Sequence, residues 1–223
     1  MRPHTSLLVI SALAGCGGSS TKSETEYVDV EVTPAATNPD GVAYPTDHIG
    51  WQKHVGKTRG DRIANLAFQG YLDSNRTGGL KTVSLADFYD PKAAKYKAIH
   101  IQIAATWCSI CAAESDATVT ARDDLVSRGA VLLSTIANGA VLNVGPTLGE
   151  FTGWMDKHKT NYTMLLDSRS KRLGPLGVTG FPYNVLLDPR TMEILYSDLG
   201  APENVVKYVN LAIDYVTTQP ASY

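Results

Sequence analysis

The sequence is poor in cysteine, has no excess of basic residues and contains no long apolar segment. Three cysteines in 223 residues are too few for a small domain held together by disulfides. The 20 basic and 22 acidic residues give a formal net charge of −2, and the scattered basic residues offer no patch for nucleic acid. Apolar residues make up 43% of the chain, which is typical of a globular protein with a buried core.

The amino-terminal segment has the pattern of an export signal. Arg2 provides one positive charge, and a short apolar run from Leu7 to Ala14 follows it. This run is too short for a membrane-spanning helix, which needs ~20 residues, but it suits the hydrophobic part of a signal peptide. It leads into Leu13-Ala14-Gly15-Cys16, which resembles the bacterial lipobox. The resemblance implies cleavage before Cys16 and a diacylglyceryl group on its sulfur; the alternative is an ordinary signal peptide with an unrelated cysteine.

The segment after Cys16 is expected to be a tether, because it is rich in Gly, Ser, Thr, Pro and acidic residues and cannot bury much apolar surface. Three valines that alternate with acidic residues leave an edge strand as the alternative: Val28, Val30 and Val32. The chain thus divides into a signal peptide (1–15), a lipidated flexible tether (16–48) and one folded domain (49–223).

A lipidated Cys16 implies a location in the bacterial cell envelope, with the protein anchored by its lipid and facing the periplasm. Gly17 directly after the cysteine favours the outer membrane by the enterobacterial sorting rule.

The order of predicted elements in the domain indicates a mixed α/β fold. Ala98–Ala105 is apolar and partly β-branched, as in a central strand, and a helix over Ile110–Arg128 is followed by Gly129, which can cap its end. A second buried strand at 130–136 then implies a right-handed crossover and parallel pairing. The other predicted elements are two short strands around the turn 73–79, a helix at 149–159, a strand at 162–166, an antiparallel hairpin within 180–197, and a helix that begins at Pro202 and ends near Val216.

Cys108 and Cys111 lie directly after the predicted central strand, at the start of the predicted helix. The first turn of a helix has unpaired N–H groups and a partial positive charge, which would stabilise a thiolate at Cys108. In such C-x-x-C sites the thiol pKa falls below the ~8.5 of free cysteine. Cys111, one turn further on, would be shielded and would resolve a mixed disulfide. A structural disulfide remains an alternative, whereas zinc would need two more ligands and c-type haem a histidine where Ala112 stands.

Two motifs resemble the TlpA/ResA-like, membrane-tethered thioredoxins. Ala105–Glu114 contains the W-C-x-x-C-x-x-E pattern, and Val178–Asp188 is similar to that family's cis-proline strand. Val83–Phe88 is similar to its entry into the core, so the resemblance covers about residues 49–216. It implies a thioredoxin-like three-layer fold, with a central mixed sheet flanked by helices and an N-terminal hairpin extension. It also implies a protein thiol-disulfide oxidoreductase whose redox group is the Cys108–Cys111 disulfide, with no further cofactor and no metal.

The resemblance assigns a role to each motif residue in turn. Cys108 would be the nucleophile, Cys111 the resolving thiol, and Glu114 a buried acid that relays protons. The substrate-binding residues would be Trp107, Phe181 and a cis Pro182. From the residues alone, Glu114 could instead be a solvated helix residue and Trp107 an ordinary core residue.

The sequence departs from the family pattern at several positions. Gln102 stands where many thioredoxins have a buried aspartate, and Tyr183-Asn184 replaces the usual threonine pair after the proline. The expected partners are a disulfide-bearing envelope protein, such as an apocytochrome c during maturation, and a membrane thiol relay that donates electrons; nucleic acid is not expected.

Two other functions remain open for such a fold. A peroxiredoxin-like peroxidase would need a proline and a threonine upstream of its reactive cysteine. Here Thr106 is only two residues before Cys108, and Ile101 stands where the proline would be. A copper-binding chaperone would need wider cysteine spacing and a distal histidine, for which His158 is the candidate.

Overall fold

The protein, seen here as a computed structural model that describes residues 25, 27, 30–51 and 60–223, is built around a mixed sheet of seven strands in those residues. Its strands are β1 (Ala67–Tyr71), β2 (Lys81–Ser84), β3 (Ala98–Ala105), β4 (Ala130–Asn138), β5 (Thr163–Leu166), β6 (Tyr183–Asp188) and β7 (Glu193–Leu199). The α-helices are α1 (Ser109–Ser127), α2 (Leu148–His158) and α3 (Val205–Thr218). The strand order β2-β1-β5-β4-β3-β6-β7 places β3, which leads into the cysteine pair, inside the sheet.

The centre of the sheet has the predicted crossover. β3 and β4 pair in parallel on either side of α1, and every residue of both strands is buried. Strands buried on both faces need continuous apolar sequence, which explains why these two segments could be recognised. On the other side of β3, β6 and β7 form the predicted antiparallel hairpin.

The N-terminal hairpin is also confirmed. β1 and β2 pair antiparallel, and β1 continues the sheet by pairing antiparallel with β5. The three α-helices pack into one apolar cluster, to which they contribute Leu125, Phe151, Trp154 and Val209 among other residues. The second cluster contains residues from shorter segments instead, among them the 3₁₀ turns Leu85–Phe88 and Gly174–Leu176.

The termini of α1 and α3 follow local capping chemistry. Gly129 has φ +90°, and a Cβ there would lie 2.9 Å from Lys97 Cγ, so glycine is required where α1 ends. The start of α3 differs from the prediction, because Pro202 lies outside the helix. Asn204 caps it instead, with its side-chain oxygen accepting from the Lys207 N–H at 2.9 Å.

Residues 30–48 differ from the flexible tether that their composition predicts, because they lie against the domain. Tyr44 is buried and its hydroxyl donates to the Ile63 carbonyl at 2.8 Å. Asn38 is buried as well, and its amide donates to the Tyr89 carbonyl at 2.9 Å. One buried aromatic ring and satisfied polar groups are enough to hold such a segment despite its polar composition.

The edge strand considered at the valines is not formed by Val30 or Val32, and Val28 lies outside the described residues, as do the predicted signal peptide and Cys16. No helix among the described residues is long and apolar enough to cross a membrane.

Candidate active site

The cysteine pair lies where β3 meets α1. Cys108 and Cys111 form a disulfide, and Cys108 is the N-cap residue of α1. The backbone N–H of Cys111 donates to Cys108 Sγ at 3.0 Å, so the helix start supplies a donor to this sulfur. Cys108 keeps 5% of its surface exposed, whereas Cys111 is fully buried. Cys108 is therefore the more accessible of the two cysteines, and the roles of attacking and resolving thiol stay predictions.

Trp107, directly before Cys108 in the chain, contacts a second aromatic side chain. Trp107 is 44% exposed, which excludes ordinary core packing, and its ring makes an edge-to-face contact with Phe181 at 5.9 Å between centroids. The Phe181–Pro182 peptide bond is cis, as the resemblance implied. Trp107 and Phe181 both line a groove of about 400 Å³, together with Leu142.

Glu114 is buried within α1, one turn after Cys111, so the solvated alternative is wrong. Only 4% of its surface is exposed, and burial raises the pKa of its carboxyl to about 7. The nearby amides, Asn184 first and then Gln102, oppose this shift because they favour the carboxylate. Glu114 also lines an open cleft of about 620 Å³ between α1 and the segment that enters α3. Its Oε1 atom has no hydrogen-bond partner among the described residues.

Asn184 and His100 complete the polar surroundings of Glu114. The Asn184 amide nitrogen lies 3.2 Å from Glu114 Oε2 and 3.0 Å from the Gly200 carbonyl oxygen. The Asn184 oxygen lies 2.7 Å from His100 Nε2, and His100 Nε2 is 4.0 Å from Glu114 Oε1. Burial lowers the pKa of His100 to about 4, against the opposing effect of its bond to Asn184. His100 is therefore neutral near pH 7.

Gln102, at the position where many thioredoxins have an acid, is buried and hydrogen-bonded. Its side-chain oxygen accepts from Ser134 Oγ at 2.9 Å and from Ser115 Oγ at 3.3 Å. Its amide nitrogen lies 3.5 Å from the Cys111 carbonyl. A neutral amide thus fills the space between the sheet and the resolving cysteine.

Two residues of this site were not singled out from the sequence in this role. His100 belongs to an apolar strand and Asn184 was noted only as a departure from the family pattern. The available signal was their alternation: polar side chains at 100 and 102 on one strand, and at 184 on its neighbour, occupy the same face of the sheet.

The copper-binding alternative finds less support at this site. His158, which a copper site would use, lies on α2 with Nδ1 2.7 Å from an Asp116 carboxylate oxygen. Within the described part of the chain, no three His, Cys, Asp or Glu side chains form a group that could hold a metal ion.

The sequence matches no protein-family model and no curated protein. Three solved structures are similar to the chain. The thioredoxin domain of a thiol-disulfide oxidoreductase from Bacteroides vulgatus has a TM-score of 0.52 and 16% identity, over 70% of this chain and 98% of that one. A candidate thiol:disulfide interchange protein DsbE from Chlorobium tepidum has a TM-score of 0.53 and 18% identity, over 70% and 97%. AhpC from Mycobacterium tuberculosis has a TM-score of 0.52 and 17% identity, over 72% and 93%.

These similarities confirm the thioredoxin-like fold and the predicted resemblance to thioredoxin-fold interchange proteins. Because AhpC shares the fold, the fold alone does not select one chemistry.

Proposed function

We propose that this protein is a thiol-disulfide oxidoreductase that reduces disulfides of cell-envelope proteins through Cys108 and Cys111. The observation that carries the proposal is the disulfide at the start of α1, with Cys108 as the helix cap and the more accessible sulfur. The exposed ring of Trp107 and the neighbouring groove provide a surface for a polypeptide substrate beside this sulfur.

The reaction begins with both cysteines reduced. The Cys108 thiolate, stabilised by the N–H groups at the start of α1, attacks one sulfur of a substrate disulfide and forms a mixed disulfide. The other substrate sulfur leaves as a thiolate. Cys111 then loses its proton and attacks the Cys108 sulfur, which releases the second substrate thiol and closes the Cys108–Cys111 disulfide. The substrate gains two electrons from the two enzyme sulfurs. One of its two protons comes from Cys111, and the thiolate that leaves first takes the other from water.

Glu114 supplies the acid–base group for the second attack. Cys111 is buried and lies away from bulk water, so its proton needs a nearby acceptor. A carboxyl with a pKa of about 7 is divided between acid and base near neutral pH, which suits it to both directions of proton transfer.

Electrons would reach the oxidised protein from a dithiol of a membrane thiol relay, by the same exchange run in reverse. A lipid on Cys16 would hold the protein in the cell envelope beside that donor. Intact mass and detergent partitioning test the anchor: a mature chain that begins at acylated Cys16 supports it, and an unacylated product that begins elsewhere contradicts it.

The test of the activity is reduction of insulin disulfides with dithiothreitol as electron source. The parent should accelerate the reaction, Cys108→Ser should abolish it, and Cys111→Ser should accumulate a mixed disulfide with the substrate. Peroxide consumption that depends on Cys108, without insulin reduction, would favour the peroxidase instead. Stoichiometric Cu(I) binding without either activity would favour the copper chaperone.

A redox titration decides the direction. A potential near that of thioredoxin, about −270 mV, supports a reductase, and a value near about −120 mV would identify an oxidant.

A further inference from the structure

Asn184 connects Glu114 to a second buried titratable group. It lies on β6, paired in register with Gln102 of β3, and its side chain is buried. The side chain contacts three groups: His100, Glu114 and the Gly200 carbonyl. A buried amide with this set of partners is rigidly held, since each of its polar atoms is satisfied.

The orientation of this amide follows from its partners. A backbone carbonyl can only accept, so the atom 3.0 Å from the Gly200 oxygen must be the Asn184 nitrogen. That nitrogen also donates to Glu114 Oε2, and the Asn184 oxygen then faces His100. An oxygen needs a donor, so neutral His100 must carry its proton on Nε2.

The same contacts distinguish the two oxygens of Glu114. Oε2 accepts from Asn184, whereas Oε1 has no hydrogen-bond partner among the described residues. His100 Nε2 is 4.0 Å from Oε1, which is too far for a hydrogen bond, and its proton is directed to Asn184.

We propose that Asn184, oriented by the Gly200 carbonyl, is a positioning residue for proton transfer that holds Glu114 through Oε2 and reserves Oε1 for the proton. This proposal rests on the proposed function and deepens it. The amide stabilises the carboxylate form, and so counteracts the burial that favours the acid. Asn184 thereby keeps Glu114 able to release its proton near neutral pH.

Several other titratable groups face this cluster. Tyr208 of α3 contacts the His100 ring edge-on, with Asp198 of β7 close to its hydroxyl, and Tyr162 interacts electrostatically with Glu114. Burial raises the pKa of both tyrosines, so neither changes charge between pH 5 and 8. In the oxidised protein the cysteines do not titrate either. The carboxyl of Glu114 can therefore be followed there without interference from the thiols.

The experiment is a ¹³C NMR titration of the Glu114 carboxyl in the oxidised protein, assigned with Glu114→Gln. Asn184→Leu removes the donor at similar size, and should raise the carboxyl pKa by about one unit or more, because a hydrogen bond to a charged group is worth that much. Asn184→Asp should raise it too, since it places a second carboxyl beside Oε2. His100→Gln keeps a donor at the same place and should leave the titration within a few tenths of a unit.

Asn38→Leu is the matched control, because it removes a buried asparagine far along the chain from the cluster and should not move the titration. If Asn184→Leu and Asn184→Asp both fold, as judged by circular dichroism, and both titrate like the parent, the proposal is overturned. If one fails to fold, the other decides.

A second measurement separates this proposal from the proposed function. The pH profile of insulin reduction should move in the same direction as the NMR titration in Asn184→Leu. A parent without insulin reduction, but with an Asn184-dependent titration, would refute the oxidoreductase and retain the positioning of Glu114. An active parent whose Glu114 titration does not change in the Asn184 variants would retain the oxidoreductase and refute the positioning of Glu114.

Discussion

Replacing Glu114 or His100 should change how the stability of the oxidised protein depends on pH, in opposite directions. The pKa of Glu114 is raised from 4.5 to about 7 in the folded state, so the folded protein binds the proton more tightly than the unfolded chain. Its contribution to stability is present below pH 4.5 and is lost as the pH rises towards 7. The pKa of His100 is lowered from 6.5 to about 4, so its contribution is present above pH 6.5 and is lost as the pH falls towards 4.

The two effects are of similar size. One unit between the folded and unfolded pKa is worth about 1.4 kcal/mol, so each group contributes about 3 kcal/mol over its window. Between about pH 4.5 and 6.5 the windows overlap, and the opposing slopes nearly cancel. The parent should therefore show little pH dependence from this pair. Both side chains are almost fully buried, so solvent screening reduces these values little.

Single substitutions remove the cancellation. In Glu114→Gln only the His100 contribution remains, so relative to the parent the free energy of unfolding should rise by about 3 kcal/mol from pH 4.5 to pH 7, the window of the missing carboxyl. In His100→Gln only the Glu114 contribution remains, and it should lower the free energy of unfolding of this variant by about 3 kcal/mol from pH 4.5 to pH 7. The double variant should again follow the parent, because both groups are absent.

The assay is urea denaturation of the four oxidised proteins at half-unit steps from pH 4 to 8. Other titrating groups are common to all four, so they cancel in the differences between variants. Parallel stability curves for the parent and Glu114→Gln would refute the reasoning, because they would show that Glu114 has the same pKa in the folded and unfolded states.

Three further predictions concern the cysteine pair, the neighbouring tryptophan and the cap of α3. In the reduced protein, Cys108→Ser should remove the thiol that iodoacetamide alkylates fastest, and Cys111→Ser should keep it; a fast thiol that survives Cys108→Ser would reverse the two roles. Trp107→Ala should lower kcat/KM for insulin by roughly tenfold, the effect of losing about 1.4 kcal/mol of contact, while reduction of a small disulfide such as oxidised glutathione stays within about twofold. Asn204→Ala should cost about 1 kcal/mol of stability by urea denaturation through loss of the α3 cap, without changing the exchange rate.

The sequence specified the centre of the fold well, because local and global signals coincide there. The predicted strand Ala98–Ala105 has the observed bounds, and α1 was predicted to within a residue at each end. Both faces of this strand are buried, which demands continuous apolar sequence, and Gly129 marks the end of the helix.

Prediction failed where tertiary contacts outweigh composition. The segment 30–48 reads as a polar linker, yet the burial of Tyr44 holds it on the domain. The start of α3 was placed at Pro202 because proline is favoured in a first turn, but the side chain of Asn204 caps the helix two residues later. Neither contact leaves a periodic pattern in the sequence.

In the site as well, residues close together in the chain could be predicted and contacts between distant residues could not. The C-x-x-C pattern drew attention to Cys108 and Cys111, and the family resemblance added Glu114, which shares a helix face with Cys111 because the two are three residues apart. The sequence could not identify the partner of His100, because the alternation of His100 and Gln102 indicates a shared face of the strand but not which residue of the neighbouring strand they contact. That partner is Asn184 on the neighbouring strand, 84 positions away in the chain.

The presence of Gln102, where many thioredoxins have a buried aspartate, affects the charge around Glu114. An acid on the strand at this position would place a second buried negative charge beside Glu114, and like charges raise each other's pKa. Gln102 instead satisfies two serine hydroxyls and remains neutral at every pH. With His100 also neutral near pH 7, the proposed reaction would use the carboxyl of Glu114 to take up the Cys111 proton. In the proposed reaction the proton acceptor would therefore lie on the helix instead of the strand, where the Asn184 amide donates to its carboxylate.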